Sequence, residues 1–263
     1  MRSFSIRIAF IIPKMHMKIN WTKYYSHIIL GSEIEVIPMR LSELLQIKPG
    51  VTAVIGSGGK TSLLAALARE LDGTVILCTT THILPFPELP FLDAPTPSDL
   101  QRRRVICVGT PQADGKLTAP TCTIATLRAL ADYVLVEADG SRQLPLKAHA
   151  PHEPVIPPET AQTICVVGAS GFGRPICDVV HRPELFCRLT GADPHDPVTP
   201  ALAAHAVAAE ALCDRVFVNQ LDAPSDWLSA AALASTLPIP VAGGSLRTGR
   251  YSFFSDTNSS KNR

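Results

Sequence analysis

The segment Gly56-Ser57-Gly58-Gly59-Lys60-Thr61-Ser62 has the residue types and spacing of a triphosphate cradle. Glycines let consecutive backbone N–H groups curl round phosphate oxygens without Cβ clashes. A helix opening at Lys60 would add the partial positive charge of its N-terminus. Lys60 is placed to reach the outer phosphates as a point charge. The Thr61 hydroxyl is placed for Mg²⁺, and Ser62 for an inner phosphate. The eight-residue form of this motif has glycine six positions before the lysine, where this chain has Val54. The loop is therefore the shorter G-x-G-G-K-T form.

A second constellation follows the apolar run Tyr133-Val134-Leu135-Val136, which ends in Glu137-Ala138-Asp139. Two acids two residues apart on an extended chain point the same way. One is suited to hold Mg²⁺ and the other to orient an attacking water, which gives Lys60, Glu137 and Asp139 catalytic roles and Thr61, Glu137 and Asp139 metal roles. Thr79-Thr80-Thr81-His82 ends another apolar run. Thr80 and Thr81 could sense a γ-phosphate and His82 could contact phosphate or substrate, although threonines also simply favour strands. Asn219-Gln220-Leu221-Asp222 resembles the N-K-x-D base reader of GTP-binding proteins, with Gln220 where lysine would stack on the base. That departure leaves ATP against GTP open, with Asn219 and Asp222 as candidate base contacts. Gly168-Ala169-Ser170-Gly171-Phe172-Gly173 has the wrong spacing for a dinucleotide fingerprint and reads as a flexible loop.

These groups need a frame. From Met39 onward, strand-length apolar runs alternate with helical segments: Val51–Ile55, Lys60–Leu71, Thr74–Cys78, Val105–Val108, Tyr133–Val136, Thr163–Val167, Ala201–Leu212, Val216–Val218, Trp227–Thr236 and Ile239–Val241. Leu63, Leu64, Leu67 and Leu71 share one helical face. The pattern predicts an α/β, P-loop NTPase-like fold, a mainly parallel sheet flanked by helices. Many of the 23 prolines fall in 85–97, 145–158 and 194–200, beside predicted strand ends, which marks loops where such folds place ligands. Three parts are expected: an extension over 1–38 with Met39 as a candidate second start, a nucleotide-binding domain over 39–255, and a disordered tail over 256–263.

Composition narrows the function classes. The chain has 263 residues, 46% hydrophobic and 18% charged, with formal net charge +1. No basic stripe points to nucleic acid, and Arg102-Arg103-Arg104 reads as a solvated element end. The apolar run Ile6–Ile12 is too short to span a bilayer, so neither membrane anchor nor export signal is expected. The seven cysteines show no C-x-x-C spacing, and Cys78, Cys107 and Cys165 sit in apolar runs, which suits buried thiols in a cytoplasmic protein.

Taken together, Val54–Leu64, Cys78–Pro85, Val134–Pro157, Val166–Ile176, Val180–Phe186 and Val216–Pro224 resemble the YqeC-type accessory proteins of selenium-dependent molybdenum hydroxylases. The resemblance runs from about Leu41 to Tyr251 and is most specific over Glu137–Pro157. It implies a P-loop protein using Mg²⁺ and ATP or GTP, with a molybdenum hydroxylase or its cofactor as partner. Ser141, Arg142, Lys147, His149 and His152 match the distinctive loop of that family, and with Thr80, Thr81 and His82 they are the expected site of a second, anionic ligand. Three activities compete. One is an NTP-hydrolysing maturation factor, and another a non-catalytic chaperone switched by nucleotide. The third is an ATP-dependent ligase or transferase, with a Mur-ligase-like loop, acting on a small anionic substrate. No glycine-arginine signature of a cytidylyltransferase is present.

Overall fold

The structure is a computed structural model that describes residues 27–30, 33–36, 39–86 and 89–254. Strands β1 (His27–Leu30) and β2 (Glu33–Val36) pair antiparallel with each other. The rest of the expected extension over 1–38 and the whole expected tail over 256–263 lie outside the described residues. Helix α1 (Leu41–Leu44) leads to strand β3 (Gly50–Gly56) and helix α2 (Lys60–Glu70). Then come β4 (Val75–Thr79), β5 (His82–Ile83), β6 (Phe91–Leu92), α3 (Pro97–Arg102) and β7 (Val105–Val108). Next are β8 (Thr110–Pro111), β9 (Leu117–Thr118), α4 (Ile124–Leu130), β10 (Tyr133–Glu137) and β11 (Leu146–Lys147). After β12 (Thr160–Gly168) come α5 (Ile176–Val179), β13 (Val180–His181), α6 (Pro183–Thr190) and α7 (Pro200–Glu210). The chain closes with β14 (Arg215–Asn219), α8 (Pro224–Thr236), β15 (Val241–Ser245) and β16 (Arg250–Phe254).

Nine strands form one sheet in the order β16-β15-β14-β12-β3-β10-β4-β7-β6. Every neighbouring pair is parallel except β15 and β16. The fold is α/β with a large, mostly parallel sheet flanked by helices, as the run pattern predicts. Strand side chains alternate between the two faces, and both faces are buried. Val134 and Val136 of β10 pack with Leu127 of α4, while Leu135 packs with Leu63 and Leu67 of α2. Val216 and Val218 of β14 pack with Ala203 and Leu233, whereas Phe217 turns to the α2 side. Burial on both faces explains why these strands read as continuous apolar runs. The α2 face Leu63, Leu64, Leu67 and Leu71 is buried as its spacing requires.

Three elements differ from expectation for local reasons. The last parallel strand is Val241–Ser245 rather than Ile239–Val241, because Pro238 and Pro240 have no N–H to give a ladder. Gly168–Gly173 is not loose: Ala169–Gly171 is a 3₁₀ turn packed beside Leu146 and Pro145. Arg104 is not merely solvated, since its guanidinium bonds the Leu71 carbonyl at the end of α2. Among the described residues, no helix is long and apolar enough to cross a membrane.

Candidate functional site

The glycine loop joins β3 to α2 at the carboxyl edge of the sheet, between the strands that bear the other polar groups. Ser57 is fully buried; its N–H donates to the Val166 carbonyl (2.9 Å) and its hydroxyl to the Leu144 carbonyl. Gly58 has φ +88°, and a Cβ there would come within 2.5 Å of the Gly168 Cα. Conformation and close approach both demand glycine at that point. Gly59 precedes the first turn of α2, and Ser62 is exposed. The Asn219 amide ties the loop to the far strands. It donates to the Gly58 carbonyl (2.8 Å) and accepts from the Leu246 N–H (3.2 Å).

The two acids of β10 and its following turn meet the loop directly. Lys60 is buried; its ammonium donates to the Gly56 carbonyl (2.8 Å) and lies 3.0 Å from Asp139 and 3.6 Å from Glu137. Thr61 donates its hydroxyl to Glu137 Oε2 at 2.8 Å. Thr61 and Glu137 are thus adjacent hard oxygen donors at the start of a helix, a pairing suited to Mg²⁺. Asp139 is differently placed. It accepts from the Gly56 N–H (2.9 Å) and the His149 ring (2.7 Å), and faces Lys147 (3.2 Å) as well as Lys60. Asp139 Oδ2 is thus held by protein partners, while its buried Oδ1 faces Lys60 and accepts no hydrogen bond from the described residues, a difference between the two acids that their spacing does not show.

Burial pushes the Glu137 carboxyl up despite Lys60 and Thr61. Burial would also raise Asp139, but the His149 hydrogen bond and the charges of Lys60 and Lys147 hold it down, at about 2. Burial works against a charged His149, yet its bonds to Asp139 and Glu210 raise it above its ordinary value.

The loop after Asp139 divides into an inner and an outer part. Lys147 and His149 are inner groups. The Lys147 ammonium bonds the Gly140 carbonyl (2.5 Å) and Glu153 (2.7 Å), and Glu153 is also paired with Arg182. The His149 ring joins Asp139 to Glu210, both at 2.7 Å. Four carboxylates (Glu137, Asp139, Glu153, Glu210) therefore face four bases (Lys60, Lys147, His149, Arg182), and the cluster is neutral when His149 is protonated. Arg142 and His152 are exposed outer groups and Ser141 is half-buried. Arg142 and Gln143 both take left-handed backbone (φ +48° and +61°), local strain of a kind that gathers at functional sites.

The remaining candidates separate. Thr80 donates to the Val155 carbonyl (2.7 Å), fastening the β4 end to the same loop, and Thr81 bonds Thr79. His82 is exposed and pairs with Thr118 in the three-stranded sheet β5-β9-β8. Asp222 lies beyond β14, half-exposed, with the Ser245 hydroxyl at 2.7 Å and Arg247 at 3.3 Å. Sequence reasoning had not found Arg182, Glu210 or Ser245. Glu210 has one faint signal: it is the single acid of the alanine-rich helix α7.

The chain matches the family described as "YqeC protein" over residues 52–184, a stretch holding the glycine loop, both acids and the inner loop bases. The "Uncharacterized protein YqeC" of Escherichia coli (strain K12) is 36% identical over 163 residues, covering 57% of this chain and 64% of that relative.

Proposed function

The chain belongs to the YqeC family, and from that premise we propose that it is an Mg-NTP-binding accessory protein for a selenium-dependent molybdenum hydroxylase. Binding or hydrolysis of ATP or GTP would be coupled to inserting or modifying the cofactor of that enzyme. The observation that supports nucleotide binding most directly is the cluster Lys60, Thr61, Glu137 and Asp139 gathered at one helix start. Free N–H groups of the first turn of α2 suit anionic oxygens. Thr61 and Glu137 would hold Mg²⁺, which neutralises phosphate charge when bound. Lys60 exchanges its Gly56 carbonyl for an outer phosphate oxygen. Glu137 would act on the attacking water only through the metal it helps to hold, and Asp139 would keep Lys60 in place beside it. The outer groups Ser141, Arg142 and His152 leave the second ligand a polar approach beside this cluster, with Arg142 its cation.

Calorimetric titration with Mg-ATP and Mg-GTP tests the first step. Lys60→Ala should weaken binding at least about a hundredfold, the loss expected from a buried charge-assisted contact. Thr61→Ala should bind with little dependence on Mg²⁺. Because Lys60→Ala also unpairs Asp139, circular dichroism must show both variants folded, and wild-type-like nucleotide binding by folded Lys60→Ala would sink the reading. For the client step, hydroxylase activity in cells lacking this protein should return with the wild-type chain and not with Thr61→Ala.

A further inference from the structure

The ends of β14 and β15 hold a carboxylate that the triphosphate chemistry does not use. Asp222 lies three residues past Asn219, the residue whose amide bridges the Gly58 carbonyl and the Leu246 N–H. Ser245, next to Leu246, donates its hydroxyl to Asp222 Oδ1 at 2.7 Å. The backbone of Asp222 is fixed as well: Asp226 accepts from the N–H groups of Asp222 (3.0 Å) and Ala223 (2.7 Å) at the start of α8. The carboxylate is thus aimed from two sides, and its Oδ2 accepts no hydrogen bond from any described residue. Strands β3, β12, β14 and β15 are consecutive and parallel, so their carboxyl ends share one edge. At about 4.8 Å per strand, β14 and β15 lie roughly 10 Å and 14 Å from the phosphate-loop strand. A nucleotide spans that interval from its inner phosphates to its base.

Resting on the Mg-NTP reading, we propose that Asp222, oriented by Ser245, reads the Watson–Crick edge of guanine and makes GTP the preferred nucleotide. The chemistry is selective. Guanine presents two adjacent donors there, N1–H and the 2-amino group, and a carboxylate is an acceptor-only group that takes both. Adenine presents the N1 lone pair at the same place, and a carboxylate repels it. The Ser245 bond keeps the Asp222 carboxyl below its ordinary value, so it is charged at neutral pH. Gln220 does not stack on the base as a lysine stem would: its amide oxygen accepts from the Ser170 hydroxyl at 2.7 Å. Arg247, 3.3 Å from Asp222 and largely exposed, is the cation left beside the base.

The test is calorimetric titration of the full chain with the Mg²⁺ complexes of GTP, ATP and xanthosine triphosphate. The wild-type chain should bind GTP at least about tenfold more tightly than ATP. Asp222→Asn should transfer the preference from GTP to xanthosine triphosphate, because xanthine carries a carbonyl where guanine carries the amino group and the asparagine amide can donate to it. Ser245→Ala should lower the GTP-to-ATP ratio without reversing it, as expected for a positioning residue. Equal affinity for ATP and GTP, or an Asp222→Asn variant that keeps its GTP preference while folded, would overturn base reading and leave the triphosphate site standing. No binding of any triphosphate by the wild-type chain would overturn both.

Discussion

Asp139 draws Lys60, Lys147 and His149 around one buried carboxylate, and His149 passes that contact on to Glu210. The arrangement makes stability depend on pH in two opposite senses. Asp139 is depressed to about 2 from 3.8, so its contribution is present above about pH 4 and lost as pH falls toward 2. His149 is raised above 6.5, so its contribution is complete below about pH 6.5 and fades as pH rises through the folded value. Replacing His149 by Asn leaves Asp139 and Glu210 buried without their shared partner, a change that costs about 3 kcal/mol in such pairs. That cost should be largest near pH 6 and smaller at pH 9. Urea denaturation of wild type and His149→Asn across this range measures it, and parallel stability profiles would refute a charged His149. The residues involved were unequally legible. Lys60, Thr61, Glu137 and Asp139 lie in short motifs, where spacing alone implies chemistry. Lys147 and His149 were visible as polar residues near a phosphate site, but not as inward-facing ones. Their burial depends on Glu210, 61 residues beyond His149, and on Arg182, and no local pattern joins residues that far apart.

At the scale of elements, the central strands were readable because sheets buried on both faces require apolar runs. Helix α2 was readable because its leucines repeat at helical spacing. The segments that escaped have weaker signals. Helix α6 starts at Pro183 after a left-handed Arg182, and β16 pairs antiparallel at the sheet edge, where its side chains are only half-buried. The turn after β12 looked like a loose glycine stretch, yet it forms a wall of the glycine loop over residues 56–59. A methyl group added at Gly168 would meet Gln220 Oε1 at 2.7 Å, the Pro145 carbonyl at 2.9 Å and the Gly58 Cα at 3.0 Å. Gly168→Ala must therefore displace either the Gln220 side chain or the loop backbone, an overpacking cost of about 1–3 kcal/mol. The expected result is a lower melting temperature together with about tenfold weaker triphosphate binding, although no charged group has changed. Gly140→Ala is the matched control, since a methyl there meets nothing within 4 Å. If Gly168→Ala binds nucleotide as the wild type does, the turn does not shape the loop.

For the whole molecule, the question is where the cooperative unit begins. The sheet pairing of β1 and β2 stops with each other, whereas the segment after Met39 is built into the core beside the nine-stranded sheet. Leu41 and Leu45 are fully enclosed, packed in the cluster that includes Leu63 and Leu67 of α2. The Ser42 N–H donates to Glu70 at 2.8 Å, closing on the far end of α2, and Gln162 of β12 donates to the Leu45 carbonyl at 3.1 Å. The short helix α1 thus clamps both α2 and the strand beside β3. A chain starting at Met39 retains all of these contacts. It should melt in one transition within about 3 °C of the full chain, the shift that about 1 kcal/mol produces at this size. A chain starting at Gly50 loses Leu41, Leu44 and Leu45. At roughly 1.5–3 kcal/mol for each buried leucine, that removes about 5 kcal/mol or more, which is comparable to the whole stability of many domains. Its melting point should fall by more than about 10 °C, or the chain should fail to fold. Thermal melts followed by circular dichroism separate the cases. A Met39 chain as unstable as the Gly50 chain would move the boundary of the folding unit upstream, and similar melting of all three chains would show that α1 is not a clamp.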